Sequence, residues 1–252
     1  MPLDDLGTPL APGPPPQRVV SLVPSLTEAI AATCRDVLVG ATDWCTHPAD
    51  LDVTRVRGTK NPNLAAIADL VPDLVVVNKE ENRELDVLRL RQRGIPVWVT
   101  DIEDVPSSLS SMRRLFTHAL RRGVPEWLEH AEVLWGTAPP APRGRVVVPI
   151  WRDPWMVVGP RTYTTDLLAR LGWDNAYAGP GSDPDDRYPH VEIIDIDREG
   201  IDLALLPDEP YEFTAQDGPE AFTRVPTQLV SGRLLTWYGP AMVEAHEVLS
   251  RT

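Results

Sequence analysis

The chain has 252 residues, 42% of them hydrophobic and 24% charged, which is the composition of an ordinary globular protein with one large or two small domains. Its 24 basic and 37 acidic residues give a net charge of −13, which would repel a phosphate backbone and argues against a nucleic-acid partner. Since no run approaches the roughly 18 apolar residues that a bilayer requires, membrane insertion is not expected.

The amino-terminal segment, residues 1–17, is rich in proline and carries Asp4 and Asp5 where a secretory signal would be basic. It predicts an extended, mobile lead-in and, for the chain as written, a cytosolic location. A periplasmic or cell-surface location would follow if a signal segment were omitted from this sequence.

From residue 18, short β-branched runs alternate with stretches of helical periodicity, a pattern typical of βαβ units with a parallel sheet. Strands are predicted at residues 19–23, 37–41, 74–77 and 96–100, and helices at residues 25–33, 63–71 and 81–93. Residues 18–103 are therefore expected to form an amino-terminal α/β lobe.

The pattern then changes to helices at residues 107–122 and 125–135, followed by a proline-rich stretch, so residues 104–143 are interpreted as a helical connector and linker. A second α/β lobe is expected over residues 144–252. Its predicted strands cover residues 145–150, 156–158, 203–206 and 234–237, and its predicted helices cover residues 163–171, part of 219–229, and 240–251. The acidic segment 192–202 indicates a solvated helix face.

The loops after the predicted strands are unusually rich in tryptophan and polar residues. They contain both lysines of the chain and four of its eight tryptophans, namely Lys60, Lys79, Trp44, Trp151, Trp155 and Trp237. Because ligands of open parallel sheets bind beyond the carboxyl ends of the strands, these loops predict a small-molecule site with flat apolar walls. The alternative for any single ring is that it closes the hydrophobic core.

Catalytic and metal-binding motifs are sparse in this sequence. There is no GxSxG, GxxxxGK[ST] or HExxH motif, and the two cysteines, Cys34 and Cys45, lack zinc-site spacing. His47 is a candidate metal ligand close to Cys45, although a loop histidine held by backbone is the alternative. An enzyme acting in the same site would draw on Cys45, His47, Glu81 or Asp153.

Several segments, taken in order, resemble the helical-backbone metal receptor family, the class III solute-binding proteins of ABC importers, which include cobalamin-binding members. They are RVVSLVPSLTEAI at residues 18–30, VGATDWCTHP at 39–48, RGTKNPNLAAIADLVPDLVVVNKEEN at 57–82, GIPVWVTD at 94–101, PIWRDPWMVVG at 149–159, LLPDEPYEF at 205–213 and WYGP at 237–240. The resemblance implies an α/β fold with two Rossmann-like lobes, mostly parallel sheets, a helical connector and a ligand cleft between the lobes.

The resemblance also implies a ligand such as cobalamin, haem or a ferric siderophore, with no required cofactor. The residues that match the family's ligand cleft are Trp44, Lys60, Asn61, Glu81, Asn82, Trp151, Arg152, Trp155, Tyr211 and Tyr238. Stacking is expected from Trp44, Trp151, Trp155 and Tyr211, and polar anchoring from Lys60, Asn61 and Arg152.

The sequence departs from importer-coupled members, which carry an acidic residue on each lobe to pair with permease arginines. Here Asn63-Leu64 is followed by Ala65, and Ile193 and Ile194 lie where the second acid is expected, near Glu192 and Asp195. The connector helix would also span only about 16 Å. These departures make a permease partner doubtful and favour a cytosolic, non-catalytic binding protein for a cobalamin-like or other metal chelate. An importer receptor whose signal peptide is missing from this chain, and a small-molecule enzyme, are the alternatives.

Overall fold

A computed structural model describes residues 1–179 and 181–251 of the chain, which forms two compact units. The first unit comprises Met1–Ile102, Ser107–Glu132 and Tyr238–Pro240. Its strands are β1 (Val19–Ser21), β2 (Leu38–Ala41), β3 (Thr54–Arg55), β4 (Leu74–Asn78) and β5 (Val97–Thr100). Its helices are α1 (Pro24–Cys34), α2 (Leu64–Asp69), α3 (Glu84–Gln92), the greater part of α4 (Val105–Arg114), which a π-helical segment at Leu115–Ala119 continues, and the greater part of α5 (Glu126–Trp135). The five strands form one wholly parallel sheet in the order β3-β2-β1-β4-β5.

Strands β1, β2, β4 and β5 of the first unit are buried on both faces apart from one half-buried residue in β2, as parallel strands flanked by helices must be, whereas the edge strand β3 is exposed. Strand β4 shows this most clearly, since all five of its side chains are buried and its run Leu-Val-Val-Val has no polar alternation. Helix α1 begins at Pro24, where the missing amide proton costs nothing because the first turn has no intrahelical acceptor for it. The strands and helices predicted within residues 18–103 are confirmed, with bounds that differ by at most three residues, whereas the short strand β3 was not predicted.

The second unit comprises Glu103–Pro106, Val133–Trp237 and Ala241–Thr252. Its strands are β6 (Gly144–Val147), β7 (Pro149–Trp151), β8 (Trp155–Val157), β9 (Trp173–Asn175), β10 (His190–Val191), β11 (Leu203–Pro207) and β12 (Thr227–Val230). Its helices are α6 (Tyr163–Arg170), α7 (Ile193–Ile196), α8 (Gly232–Thr236) and α9 (Ala241–Leu249). A parallel sheet in the order β12-β11-β6-β9 carries the core, and a small antiparallel sheet holds β10, β8 and β7. The predicted α/β fold with mostly parallel sheets is confirmed.

The amino-terminal segment is folded against the first unit instead of extending from it. The Asp4 side chain is 1% exposed and lies 2.9 Å from Arg91, while Asp5 lies 2.7 Å from Arg114. Asp4 also accepts hydrogen bonds from the amides of Leu6 and Thr8, which closes a turn. The prediction of a mobile lead-in is therefore wrong for its first ten residues, because the two carboxylates have specific basic partners.

Near the carboxyl terminus, one predicted strand is mainly helical in the structure, and one predicted helix is replaced by a turn and a strand. Residues 234–237, predicted as a strand, belong mainly to α8, and the predicted helix within residues 219–229 is a 3₁₀ turn at Pro219–Ala221 followed by β12. Strand β12 forms because it pairs in parallel with β11, a long-range contact that local periodicity does not reveal. Short apolar runs are ambiguous between helix and strand for this reason.

The acidic segment 192–202 was also predicted incorrectly as one solvated helix face. Only Ile193–Ile196 is helical, and Asp197 is buried, accepting hydrogen bonds from the amides of Thr223, Arg224 and Val225 and from the Thr223 hydroxyl.

Among the described residues, no helix has the length and apolar character needed to cross a bilayer.

Candidate functional site

The carboxyl ends of all five strands of the first unit lie at one edge of its sheet, because the strands are parallel. The loop after β2 carries Trp44, which is 66% exposed, and the loop after β3 carries Asn61. Both side chains approach Gly58, where a Cβ atom would lie 2.6 Å from Asn61 Oδ1 and 3.1 Å from Trp44 Nε1. The absence of a side chain at Gly58 therefore lets the exposed indole and the amide both approach the backbone at this position.

Lys60 and Glu81 belong to the same edge of the first unit. Lys60 is exposed, and its ammonium donates a hydrogen bond to the Glu80 carbonyl in the loop after β4. Glu81 is half-buried one residue further along. The second lysine, Lys79, lies 2.7 Å from the Asp101 carboxylate. This edge therefore presents an indole, an amide and an ammonium group together.

Asn82 and Tyr238 lie in the interior of the first unit. The buried Asn82 side chain accepts a hydrogen bond from the Asn78 amide and donates to the carbonyls of Leu22 and Thr59 at 3.2 and 3.0 Å. Tyr238 is 6% exposed, and burial raises the pKa of its phenol. The Asn82 hydrogen bonds fix the loops that carry the exposed groups.

Cys45 is a buried thiol. Its Sγ atom lies 3.0 Å from Thr27 Oγ1 and 3.1 Å from Thr42 Oγ1, and burial raises its pKa despite these hydrogen bonds. Since the thiolate is the reactive form, this environment suits a structural cysteine better than a nucleophile.

His47 is exposed, with Nδ1 3.1 Å from Thr46 Oγ1. In the parts of the chain that the structure describes, no group of three or more His, Cys, Asp or Glu side chains could hold a metal ion. His47 as a metal ligand thus stays a prediction from the sequence.

The second unit brings five aromatic rings together around the β7–β8 hairpin and the segment that follows β11. Trp155 stacks on Phe213 with centroids 5.9 Å apart and meets the edge of Phe222. Tyr211 lies 4.7 Å from Phe213 and 5.6 Å from Trp151. We refer to these five residues as the aromatic cluster. Trp155 and Phe213 form its buried base, whereas Trp151 is 44% exposed at its surface.

A charged network joins the two segments that carry the aromatic cluster. The Arg152 guanidinium, on the hairpin, forms ion pairs with Asp217 and Glu220 and lies 5.4 Å from the centre of the Trp155 ring. The Tyr211 hydroxyl donates to Asp217 Oδ2 at 2.6 Å. The hydrogen bonds that Arg152 donates to Glu220 and Asp217 raise the pKa of Arg152, and the hydrogen bond that Tyr211 donates to Asp217 raises the pKa of Tyr211. Both groups are therefore held in their protonated forms at neutral pH.

Within each unit, the structure brings the expected site residues close to one another, but the roles of some of them differ from those expected from the sequence. Trp44, Lys60, Asn61 and Glu81 share one edge of the first unit, and Trp151, Arg152, Trp155 and Tyr211 share the aromatic cluster and its network. Four participants were missed by sequence reasoning, namely Phe213, Asp217, Glu220 and Phe222. Their aromatic and acidic character after β11 was the available signal, but the turn that brings Asp217 to Arg152 could not be foreseen.

Sequence comparison relates the chain to proteins named vitamin B12-binding protein. One from Pectobacterium atrosepticum is 27% identical over 176 residues, which cover 65% of this chain and 63% of that protein. One from Pectobacterium carotovorum is 32% identical over 108 residues, 41% of this chain and 39% of that protein. The match therefore spans less than two thirds of the length of these relatives. No protein-family model matches the chain.

Comparison with solved structures agrees on the fold. The periplasmic vitamin B12 binding protein BtuF of Vibrio cholerae has a TM-score of 0.72 at 18% identity, with 94% of this chain and 96% of that one covered. The periplasmic haem-binding protein BhuT in complex with two haems has a TM-score of 0.76 at 22% identity, with 93% and 96% covered. At these identities the likeness shows a shared fold. All of these proteins are named for binding, none as an enzyme, and both solved neighbours are described as periplasmic.

Proposed function

We propose that this chain, a class III solute-binding protein of the cobalamin-binding-like type, binds a planar metal chelate of the cobalamin or haem type as the receptor of an ABC importer. The observation that carries the proposal is an exposed tryptophan at the strand ends of each unit, Trp44 in the first and Trp151 in the second. Ligand sites are lined mainly by apolar and aromatic side chains with a few polar groups, and an exposed indole at a strand end supplies such a wall. Trp151 is also in edge contact with Tyr211.

The physical fit of such a ligand rests on its flat ring system. An indole supplies a wide apolar surface at little cost in side-chain entropy, and a favourable aromatic contact contributes about 0.5–1.5 kcal/mol beyond simple burial. Lys60 and Asn61, beside Trp44, would hold polar substituents at the ring's periphery. Trp155 and Tyr211 would act by supporting Trp151, and Arg152 by holding the hairpin, instead of through direct contact as the sequence suggested.

An exported location and a permease partner follow from the importer role. The cytosolic location expected from residues 1–17 finds no support among the relatives, since the solved neighbours are periplasmic proteins. The periplasmic or cell-surface alternative, with an ABC permease as partner, is therefore the one we adopt. Stimulation of the ATPase activity of the cognate transporter by the ligand-loaded chain would support this role, and its absence would refute it.

The ligand assignment is tested by titrating the chain with cyanocobalamin and with haemin, following ligand absorbance and tryptophan quenching. We expect saturable binding of at least one, weakened at least tenfold in Trp44→Ala and Trp151→Ala, a loss of about 1.4 kcal/mol each. Leu229→Ala is the matched control, because Leu229 is as exposed as Trp151 but lies on strand β12. If neither ligand binds, the assignment is wrong; if either tryptophan variant binds as tightly as Leu229→Ala, its indole does not contact the ligand.

A further inference from the structure

The amino-terminal segment buries its charged groups and exposes its apolar side chains. The side chains of Asp4 and Asp5 are 1% and 3% exposed. Met1, Leu3 and Leu6, by contrast, are 80%, 50% and 48% exposed. Because burial of apolar area is what usually holds a peripheral segment in place, this inverted pattern indicates that the first unit recognises the two carboxylates.

Residues 2–10 close on themselves as a short antiparallel turn, which we call the amino-terminal hairpin. The Asp4 amide donates to the Thr8 carbonyl, and the Leu10 amide donates to the Pro2 carbonyl, both at 2.9 Å. Asp4 Oδ1 accepts a hydrogen bond from the Thr8 amide at 2.7 Å. One carboxylate oxygen of the aspartate pair therefore shapes the hairpin, and the other three bind the rest of the first unit.

Strand β5, against which the hairpin lies, is an edge strand of the parallel sheet. The outward-facing backbone groups of an edge strand are open to pairing with another chain. Here the Val99 amide donates to Asp4 Oδ2 at 3.4 Å, and the Asp101 amide donates to Asp5 Oδ2 at 3.0 Å. The Asp5 amide donates in turn to the Val99 carbonyl at 3.1 Å. The hairpin thus takes the place of a neighbouring strand.

Two guanidinium groups also bind the aspartate pair. Arg91, on helix α3, lies 2.9 Å from Asp4 Oδ2 and donates to the Val97 carbonyl of strand β5 at 3.3 Å. Arg114, at the end of helix α4, donates to Asp5 Oδ1 through Nε at 3.2 Å and through a terminal nitrogen at 2.7 Å. Charge-assisted hydrogen bonds of this kind are about twice as strong as neutral ones. We call the two guanidiniums, together with the amides of Val99 and Asp101, the carboxylate site.

We propose that the carboxylate site is a binding site for two adjacent carboxylates, and that the amino-terminal hairpin occupies it in cis and can be displaced from it. The partner that fits is a short acidic segment with neighbouring aspartates on a turn, since its backbone must also donate to the Val99 carbonyl. The exposed, proline-rich residues 11–15 that follow the hairpin act as a spacer, which lets it leave without unfolding strand β1. The hairpin covers the edge of strand β5 until such a segment replaces it.

The first part of the test removes the two carboxylates from the full chain. In the double variant Asp4→Asn/Asp5→Asn, hydrogen exchange of the two backbone amides in the carboxylate site, followed by NMR, should be at least about tenfold faster than in the wild type. The matched control, Asp36→Asn/Asp52→Asn, makes the same charge change at exposed positions of the first unit and should leave both exchange rates unchanged.

The second part supplies the carboxylates in trans, as a peptide of residues 1–10 with a carboxyl-terminal fluorophore, and measures binding by fluorescence anisotropy. A tethered hairpin has an effective concentration of about 1 mM, so its Kd must be about 0.1 mM or lower for it to be docked in most molecules. We expect the peptide to bind the double variant with that Kd, and to bind the wild type at least about tenfold more weakly because the tethered hairpin competes. The same peptide with both aspartates replaced by asparagine should bind neither chain.

Three results would overturn the proposal. They are unchanged exchange in the double variant, failure of the peptide to bind a variant whose exchange has risen, and equal binding of the peptide to variant and wild type. Asp5→Asn alone, which leaves the pair between Asp4 and Arg91 in place, supports the same comparison if the double variant does not fold. None of these measurements involves a chelate, so the proposal can fail while the proposed function stands, and the reverse.

Discussion

Replacing Asp197 by alanine tests how the second unit holds the segment before β12. The Asp197 carboxylate accepts hydrogen bonds from the backbone amides of Thr223, Arg224 and Val225, each at 2.8 Å, and from the Thr223 hydroxyl at 2.7 Å. Hydrogen bonds of this kind contribute about 0.5–1.5 kcal/mol net each. Because water can reach some of the freed donors, we expect a loss of about 2–4 kcal/mol in the free energy of unfolding.

The pH dependence of this loss is fixed by the ionisation of Asp197. Burial alone would raise its pKa, but the hydrogen bonds from Val225, Thr223 and Arg224 outweigh burial and hold the pKa well below its usual range. A carboxyl group whose folded-state pKa is lowered stabilises the fold above its unfolded pKa of about 3.9, and the effect is lost as pH falls below that value. The difference between the wild type and Asp197→Ala should therefore be full at pH 6 and should shrink steadily below about pH 4.

Urea unfolding followed by circular dichroism at pH 6 and at pH 3.5 provides the measurement. Glu199→Ala, an exposed acid two residues away, is the control and should change the free energy of unfolding by less than about 0.5 kcal/mol. A loss at pH 6 no larger than that of Glu199→Ala, or one that grows as pH falls, would refute the reasoning.

Three further predictions concern the site loops and the thiols. Gly58→Ala should displace the Trp44 indole, raise its quenching by iodide and weaken ligand binding, while unchanged quenching would contradict the close approach at this glycine. Neither cysteine should react with Ellman's reagent at pH 8 in the native chain. The reason is that burial raises the pKa of the Cys34 thiol to about 11 and also raises the pKa of the Cys45 thiol. Reaction of either thiol before unfolding would disprove their burial. Burial also raises the pKa of Glu209, so the contribution of this residue to stability should fall as pH rises through that pKa. Glu209→Gln should therefore flatten the decline in stability between pH 4 and 8, measured by thermal unfolding. A steeper decline in stability in the variant would contradict this.

The first unit was the more predictable one because its signals are local. Strand β4 begins with a continuous apolar run, and helix α2 is preceded by the N-cap residue Asn63, whose side chain accepts a hydrogen bond from the Ala66 amide. Strand β12 was missed, since two of its four side chains are exposed and its identity depends on pairing with β11.

The sequence predicted which residue types would lie at the site, but not the role that each residue would have there. Trp44 and Trp151 were expected at a surface and are exposed, whereas Trp155 and Tyr238, selected for the same reason, are buried. Sequence pattern indicates that a ring lies at a strand end, but only the packing of neighbouring loops decides which ring reaches solvent. The pairing of Arg152 with Asp217, 65 residues apart, depends on that packing too.

Titration of the wild-type chain with cyanocobalamin, with tryptophan fluorescence as the readout, tests the receptor account most directly. The account predicts saturable quenching at one ligand per chain with a Kd of about 1 μM or tighter, equivalent to at least ~8 kcal/mol of binding free energy. Linear, unsaturated quenching up to about 100 μM, both with cyanocobalamin and with haemin, would contradict it.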